Sequence, residues 1–340
     1  MTLIRATALQ GFPDLVRSRG GNPEALLRGA RIPRTAVGQF DAYFGYRNVI
    51  SVIESAASVT DTPDFGRLLA LQQGMEIFGP LGATARTART VAEAFTAFRD
   101  YLSLYCPALE VSQAPHHDDR YVIIEMRIAL TPAPQARQYI ELALGVLRRV
   151  ITLLVGKDFR ALAVHIPHDP IAPEREYAEY YAAPVRFREP FWGIAMHWAD
   201  FDKPMSDDTA VHEALRAYLD SITGSGMPDF TETVQRLIRH LLPTGTLSVA
   251  LVADQLDVHP RTLQRRLAER STTYGELLDR TRKDLAGRLL RDTDMPLTQL
   301  AGVLGYSEQS VLTLSCRRWF HMTPARYRKN TRSAPPATKV

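Results

Sequence analysis

A short pattern that occurs twice in the last third of the chain constrains its fold more than any other feature. An apolar residue and an alanine are followed three positions later by a leucine in VADQL, residues 252–256, and again 48 positions later in LAGVL, residues 300–304. Alanine lets two helices cross closely, and the turn that follows needs a residue that tolerates left-handed backbone. Gly305 does so freely and Asp257 does so acceptably. The repeat predicts two helix-turn-helix units.

The second helix of the first unit is predicted in HPRTLQRRL, residues 259–267. Pro260 suits the first helical position, where a backbone N–H has no partner to lose. Leu263 and Leu267 lie four positions apart and define a buried stripe at about 100° per residue. The residues that point away from this stripe are Arg261, Gln264 and Arg265, with Arg266 at the flank, within reach of a phosphate.

The chemistry of this outer face fits the major groove of DNA. Arginine matches the O6/N7 edge of guanine, and glutamine matches adenine. A solvated face more often mixes glutamate and lysine at four-residue spacing, whereas Glu269 is the only acid here. Residues 230–340 also hold 18 of the 41 Lys and Arg but only 10 of the 37 Asp and Glu, which favours a polyanionic partner. The candidate DNA contacts are Arg261, Thr262, Gln264, Arg265 and Arg266.

The second unit has a similar helix after its turn. Ser307 is the predicted N-cap, and Val311, Leu312 and Trp319 are expected to face inward. The RYRK stretch, residues 326–329, is expected to hold phosphates. If both helices face the same way, they meet successive major grooves about one turn apart. The residues expected to face outward are Ser310, Thr313, Leu314 and Arg317.

The preceding two thirds of the chain predict an α+β domain. Helical periodicity runs to about residue 105, and two β-rich stretches then bracket the polar turn APHHDD. A helix over about 133–155 and three short strand candidates follow. The predicted organisation is therefore an α+β effector-sensing and dimerisation domain over 1–222, a linker over 223–229, an all-α DNA-binding domain over 230–330 and a disordered tail over 331–340.

Several other classes of protein are disfavoured. Two cysteines far apart exclude a disulfide framework and fit a reducing cytoplasm. No apolar run reaches the length of a membrane span, and the first residues lack the layout of a signal peptide. No phosphate-binding loop motif or catalytic constellation is visible, so we expect neither an enzyme nor a cofactor. His116 to Asp119 are interpreted as a polar turn rather than as metal ligands.

The C-terminal motifs resemble the AraC/XylS family of bacterial transcription regulators. The stretches that carry this resemblance are HPRTLQRRL, VLGYSEQSVL and RRWFHMTPARYR. The N-terminal part resembles the VirS/OruR-type branch, whose sensor domain carries an "arabinose-binding" label, in FGPLGATARTARTVAEAF and PVRFREPFWGI. The resemblance implies a one-component regulator, usually an activator, that binds double-stranded promoter DNA, responds to a small molecule and works with RNA polymerase.

The resemblance also implies which side chains touch bases. In the first helix these positions are Arg261, Gln264 and Arg265. In the second helix they are Gln309, Ser310, Thr313 and Leu314. The last of these is commonly arginine in the family, whereas a leucine can only touch a thymine methyl group. Other departures are His321 for glycine, His259 for a serine cap and Cys316 for phenylalanine. We predict that base specificity is concentrated in the half-site of the first helix.

The effector pocket is less well defined by the sequence. Few polar residues cluster with the aromatic ones, which favours an apolar or acidic effector, and Arg148 or Arg149 is a candidate partner for its carboxylate. Two other functions stay open: an architectural DNA-binding protein whose N-terminal domain only oligomerises, and an enzyme fused to a DNA-binding module. A homodimer is possible. The candidate effector-binding residues are Phe78, Tyr101, Tyr105, Tyr139, Arg148 and Trp192.

Overall fold

The computed structural model describes residues 3–205, 209–224, 230–245, 247–256 and 258–332. The chain divides into two units, Met1–Met227 with Gln255–Asp257, and Pro228–Asp254 with Val258–Val340. Within the described ranges, no helix is long and apolar enough to cross a lipid bilayer.

The N-terminal unit is mainly helical, as the apolar periodicity predicts. Its longest helix, α7, presents a nearly continuous buried face that runs from Tyr139 to Leu154. The helices are α1 (Phe12–Ser18), α2 (Pro23–Gly29), α3 (Tyr46–Val59), α4 (Phe65–Ala70), α5 (Pro80–Arg86), α6 (Val91–Tyr101), α7 (Arg137–Val155), α8 (Glu174–Tyr181) and α9 (Thr209–Gly224).

A five-stranded sheet supplies the β part of this unit, in the order β3-β4-β7-β5-β6. The predicted hairpin is confirmed, because β3 and β4 pair antiparallel and Leu109 lies opposite Ile128. Along β4, Val122 and Ile124 are fully buried. The strands of this sheet are β3 (Leu109–Pro115), β4 (Tyr121–Ile128), β5 (Ala163–His165), β6 (Val185–Arg186) and β7 (Trp192–His197). The α+β prediction is confirmed.

A small two-stranded sheet departs from the sequence prediction. The first hundred residues were expected to be mostly helical, but β1 (Leu3–Arg5) pairs antiparallel with β2 (Tyr43–Gly45). Each strand has only three residues, which is too short for alternation between apolar and polar residues to be visible. The pairing partner also lies about forty positions away, so the local sequence does not indicate it.

Helices α4 and α7 approach closely because of a glycine. A Cβ atom at Gly66 would collide with the carbonyl oxygen of Gln138. The Gln138 side chain accepts a hydrogen bond from the Gly66 N–H at 2.8 Å. The glycine therefore allows backbone contact at this crossing, and the amide fixes its register.

A buried ion pair lies between the same two helices. Arg67 donates to Glu141 at 2.7 Å, and both side chains are almost fully buried. Tyr177 on α8 donates to the other carboxylate oxygen at 2.6 Å. Burial raises the pKa of Glu141 to about 7, although the charge of Arg67 acts in the opposite direction. Removing one partner of such a pair leaves a buried charge without compensation, so loss of either Arg67 or Glu141 is expected to be strongly destabilising.

The C-terminal unit is all-helical in its described residues. Its long central helix, α13, begins with a capping box in which the Thr273 hydroxyl accepts from Glu276 N–H and the Glu276 carboxylate accepts from Thr273 N–H. The helices of this unit are α10 (Phe230–Leu241), α11 (Val249–Gln255), α12 (Pro260–Ala268), α13 (Tyr274–Asp292), α14 (Leu297–Val303), α15 (Gln309–Phe320) and α16 (Pro324–Arg332).

The first two residues of the predicted linker and the first two of the predicted tail are helical. Residues 223 and 224 belong to α9, and residues 331 and 332 belong to α16. The rest of the predicted linker, residues 225–229, and of the predicted tail, residues 333–340, lies outside the described residues. The same holds for Asp257, the predicted turn residue of the first helix-turn-helix unit.

Candidate nucleic-acid interface

The first candidate reading helix, α12, starts from a histidine cap. The ring Nδ1 of His259 accepts a hydrogen bond from the Arg261 N–H at 3.2 Å, and Pro260 takes the first helical position. Imidazole thus does what a serine oxygen would do at this position. Leu263 and Leu267 are fully buried, which fixes the direction of the opposite face.

That opposite face is polar and basic. Arg261, Gln264 and Arg265 are exposed, while Thr262 and Arg266 are half-buried. The Arg266 guanidinium lies 5.7 Å from the centre of the Phe230 ring on α10. Arg265 has only a loose pair with Glu269, at 3.7 Å between exposed side chains. The structure therefore brings the five predicted contacts of this helix together, with three long side chains pointing to solvent.

The turn of the second unit has the backbone that the sequence predicts. Gly305 has φ +67, a left-handed conformation that glycine adopts without steric cost. After the turn, the hydroxyl groups of Tyr306 and Ser315 lie 3.0 Å apart. Leu300, Ala301 and Leu304 are buried at the helix crossing.

The outer face of α15 differs from that of α12. Leu314 is 64% exposed, and Gln309, Ser310 and Arg317 are exposed around it. Thr313 is half-buried and donates its hydroxyl to the Gln309 carbonyl oxygen at 3.1 Å. Ser310 donates to the Glu308 carboxylate at 2.9 Å. The predicted residues share one side of the helix, but both hydroxyl groups donate to acceptors in or next to the helix, and the apolar Leu314 is exposed beside them.

Two local predictions for α15 are wrong. The N-cap is Glu308 rather than Ser307, and Glu308 makes no side-chain capping bond among the described residues. Val311 was expected to face inward but is 38% exposed. The buried side chains of the helix are Leu312, Ser315, Cys316 and Trp319. This stripe is offset by one position from Val311, so the valine lies at the rim.

His321 ends α15 in a left-handed conformation with φ 57. The family resemblance places a glycine here, and glycine adopts this conformation without steric cost. A histidine keeps the same geometry at a cost of about 1 kcal/mol.

The long helix α13 holds the second predicted helix-turn-helix, α14 and α15, in place. Asp279 accepts from the Trp319 Nε1–H at 2.9 Å and also pairs with Arg318. Arg282 donates to the Leu304 carbonyl oxygen at 2.8 Å and to that of Gly305 at 3.2 Å. These contacts fix the turn and the end of α15 to one helix. The sequence prediction did not include Asp279 or Arg282, because both look like ordinary members of a charged helix face.

The candidate effector residues separate into two groups. Phe78, Tyr105 and Tyr139 line one apolar cavity in the N-terminal unit, but Tyr101, Arg148 and Trp192 are not among its lining residues. Tyr101 instead donates to Asp220 on α9.

The other two excluded residues are also engaged elsewhere. Arg148 donates to the Tyr181 carbonyl oxygen at 3.0 Å. Trp192 lies in the sheet opposite Met126. Arg148 therefore does not face the cavity as a partner for a carboxylate.

The polar turn over residues 116–119 is held together by its own side chains. His116 Nδ1 accepts from the Asp118 N–H at 3.1 Å, and Asp118 pairs with Arg120 at 2.6 Å. Hydrogen bonds from Arg120 hold the pKa of the Asp118 carboxyl well below its usual range.

Each of the two units contains a match to a known protein family. Residues 20–205 match the family described as the arabinose-binding domain of AraC transcription regulator, N-terminal. Residues 252–330 match a helix-turn-helix domain family. The chain is 37% identical over 328 residues to the HTH-type transcriptional regulator VirS of Mycobacterium tuberculosis, covering 96% of each chain.

More distant similarities have the same extent. The chain is 24% identical to the ornithine utilization regulator of Pseudomonas aeruginosa, again covering 96% of each. Among solved structures, the transcriptional regulator CdpR from Pseudomonas aeruginosa matches 90% of this chain and 96% of its own, with 23% identity and a TM-score of 0.45.

Proposed function

The chain belongs to the AraC family of transcriptional regulators, and we propose that it binds promoter DNA through both helix-turn-helix units and activates transcription in response to a small molecule bound by its N-terminal unit. In this proposal its role is regulatory rather than catalytic, and it acts in the cytoplasm. RNA polymerase is its second macromolecular partner.

One observation carries the DNA-binding part of the proposal. Helix α12 buries Leu263 and Leu267 and exposes Arg261, Gln264 and Arg265 on the opposite side. Long donors on a helix that is fixed from behind are the means by which helix-turn-helix proteins reach base edges. The side chains of α15 then supply contacts to the neighbouring groove, with Arg317 suited to a phosphate.

Fluorescence anisotropy on the DNA upstream of its own gene, against scrambled DNA and across a salt series, tests this part. We expect a steep salt dependence and a preference of at least about a thousandfold for the specific DNA. Arg261→Ala should reduce that preference, whereas Arg175→Ala, an exposed arginine of α8, should leave it unchanged. Salt-dependent binding with no sequence preference would favour the architectural alternative.

The effector part is supported by the apolar cavity that Phe78, Tyr105 and Tyr139 line. A ligand that binds only the native state raises the melting temperature, so a thermal-shift screen separates a sensor from a domain that only oligomerises. In vitro transcription with RNA polymerase, with and without a ligand that raises the melting temperature, then tests activation. Sedimentation of the free protein tests whether it forms the homodimer that the sequence leaves possible.

A further inference from the structure

Two cavities of the N-terminal unit share a wall. The inner cavity has a volume of about 60 Å³. The outer pocket, between α6 and the sheet, holds about 530 Å³ by the same measure. Phe95 and Val111 line both, so the two spaces adjoin at these two side chains.

The inner cavity offers almost only hydrocarbon to a ligand. Helix α7 lines it with Ala143, Val146 and Leu147, among others. Gln73 also lines it, but its side-chain amide already donates to the carbonyl oxygens of Ala8 and Gln10, at 2.9 and 3.1 Å. A sugar placed here would bury hydroxyl groups without partners, which costs about 1–3 kcal/mol for each group. An alkyl chain or a plain ring loses nothing by the same transfer.

The outer pocket has the opposite chemistry. It is lined by Arg99, Ser112, Gln113 and Asp202 together with apolar side chains. Arg99 is 64% exposed and pairs with Asp100 at 3.1 Å, a solvent-screened pair that a ligand can replace at little cost. The outer pocket therefore suits a polar group that stays in partial contact with water.

One aromatic ring, Phe95, lines both spaces, and two further rings continue from it along the outer pocket. The Phe95 and Phe201 ring centres are 5.1 Å apart, and those of Phe201 and Trp198 are 5.3 Å apart. Phe95 and Phe201 are buried, whereas Trp198 is 42% exposed at the outer pocket. Trp198 contacts Phe201 and lines the outer pocket, so it is placed to report occupancy of that pocket by fluorescence.

We propose that these two spaces form one site for an amphipathic molecule, with an apolar chain in the inner cavity and a polar head beside Arg99 in the outer pocket. The inference rests on the proposed effector control, and it specifies the class of effector. Arg99, rather than the predicted Arg148 or Arg149, is then the partner of the polar head. The head is a carboxylate or a hydroxyl group, and Arg99 distinguishes the two.

Thermal shift and tryptophan fluorescence of the full chain test the site with octanoate, octanol, acetate and arabinose. We expect octanoate and octanol to raise the melting temperature and to change the emission, and acetate and arabinose to do neither. Trp198→Phe should remove the emission change but keep the thermal shift. A thermal shift with arabinose, or none with either alkyl compound, overturns the proposal.

Substitutions locate each part of the ligand. Ala143→Met fills the inner cavity and should weaken octanoate binding at least about tenfold. Ala57→Met is the matched control, since Ala57 is also 8% exposed but does not line the cavity. Equal octanoate affinity in Ala143→Met and in the wild type contradicts the inner site, and Val146→Met repeats the test if the first variant does not fold.

The headgroup is tested by Arg99→Ala, which should weaken octanoate but not octanol by about two- to fivefold if the head is a carboxylate. Arg89→Ala, at a similarly exposed arginine that pairs with Glu93, should change neither. Equal affinity of both ligands for Arg99→Ala and the wild type would place the head elsewhere and overturn the proposed orientation. Anisotropy on promoter DNA is measured separately. If octanoate binds but leaves DNA binding and transcription unchanged, effector control fails while the site stands.

Discussion

The two candidate reading helices have the same origin in the sequence but present different chemistry. Helix α12 exposes Arg261, Gln264 and Arg265, whose long side chains carry hydrogen-bond donors and point to solvent. Helix α15 exposes Leu314 at the centre of its outer face, and its Thr313 hydroxyl is bound to its own backbone. In the proposed complex with DNA, the first helix would offer three long hydrogen-bond donors to base edges, whereas the second would offer an apolar contact from Leu314 beside Gln309.

Polar contacts to a neighbouring helix hold α15 and the turn before it. Helix α15 is tied to α13 through Trp319 and Asp279, and its preceding turn is tied through Arg282. Phosphate contacts fix the register of a protein on DNA, and base contacts supply the specificity. We infer a division of work in which the first unit reads the sequence and the second, rigidly held, positions the protein on the backbone.

The largest effect is expected for Arg265→Ala. Loss of a bidentate base contact costs about 1–3 kcal/mol, so the preference for specific over scrambled DNA should fall about 5- to 150-fold. Leu314→Ala removes only an apolar contact and should change the preference less than about threefold. Competition anisotropy measures both. Similar losses in the two variants would remove the distinction between the helices.

The rigid support of the second unit is tested by Asp279→Ala. The substitution leaves the largely buried Trp319 N–H without its acceptor, which should reduce the free energy of unfolding by about 1–3 kcal/mol. Asp284→Ala, on the exposed side of the same helix, should stay within about 0.5 kcal/mol of the wild type. Urea denaturation measures both. Equal stability of the two variants would show that the ties to α13 contribute little.

Leu314→Arg should restore a donor to the second helix. We expect higher affinity for any duplex and a salt dependence steeper by about one phosphate contact, because an exposed arginine reaches the backbone. Leu314→Gln is the uncharged control and should leave the salt slope unchanged. A salt titration that gives the same slope for Leu314→Arg and the wild type would mean that α15 does not face DNA.

The smallest effect is expected for His321→Gly at the end of α15. Relief of the left-handed backbone should raise the free energy of unfolding by about 0.5 kcal/mol, after the entropy cost of glycine in the unfolded chain. His321→Ala keeps the strain and should give no gain. Ser271, after the first helix, also has positive φ, so Ser271→Gly should behave similarly. A loss of stability in both glycine variants would show that these side chains make stabilising contacts.

The sequence predicted the parts of the molecule that depend on local pattern. The repeated apolar-alanine-leucine pattern predicted the helix pairs α11–α12 and α14–α15, and Gly305 has the left-handed backbone that was predicted for it. The α+β character of the N-terminal unit and its hairpin followed from the same kind of pattern.

Features set by distant partners were not predictable. Tyr101 looks like a pocket aromatic in the sequence, but its partner Asp220 is 119 positions away. Arg148 is likewise engaged by a carbonyl group on α8. The Ser307 cap was wrong because a cap depends on where the chain enters the helix, which the turn geometry decides. Arg99 was overlooked because an exposed arginine on a helix has no distinctive pattern.

A base-pair substitution scan of the promoter site, read by competition anisotropy, tests the division of work most directly. We predict that the base-pair substitutions that cost about 1–3 kcal/mol of binding free energy cluster in one half-site. Arg265→Ala should remove most of these costs in that half-site. The other half-site should tolerate substitution within about 0.5 kcal/mol. Comparable costs in both half-sites, each removed by changes in a different helix, would show that the second helix reads bases as the first does.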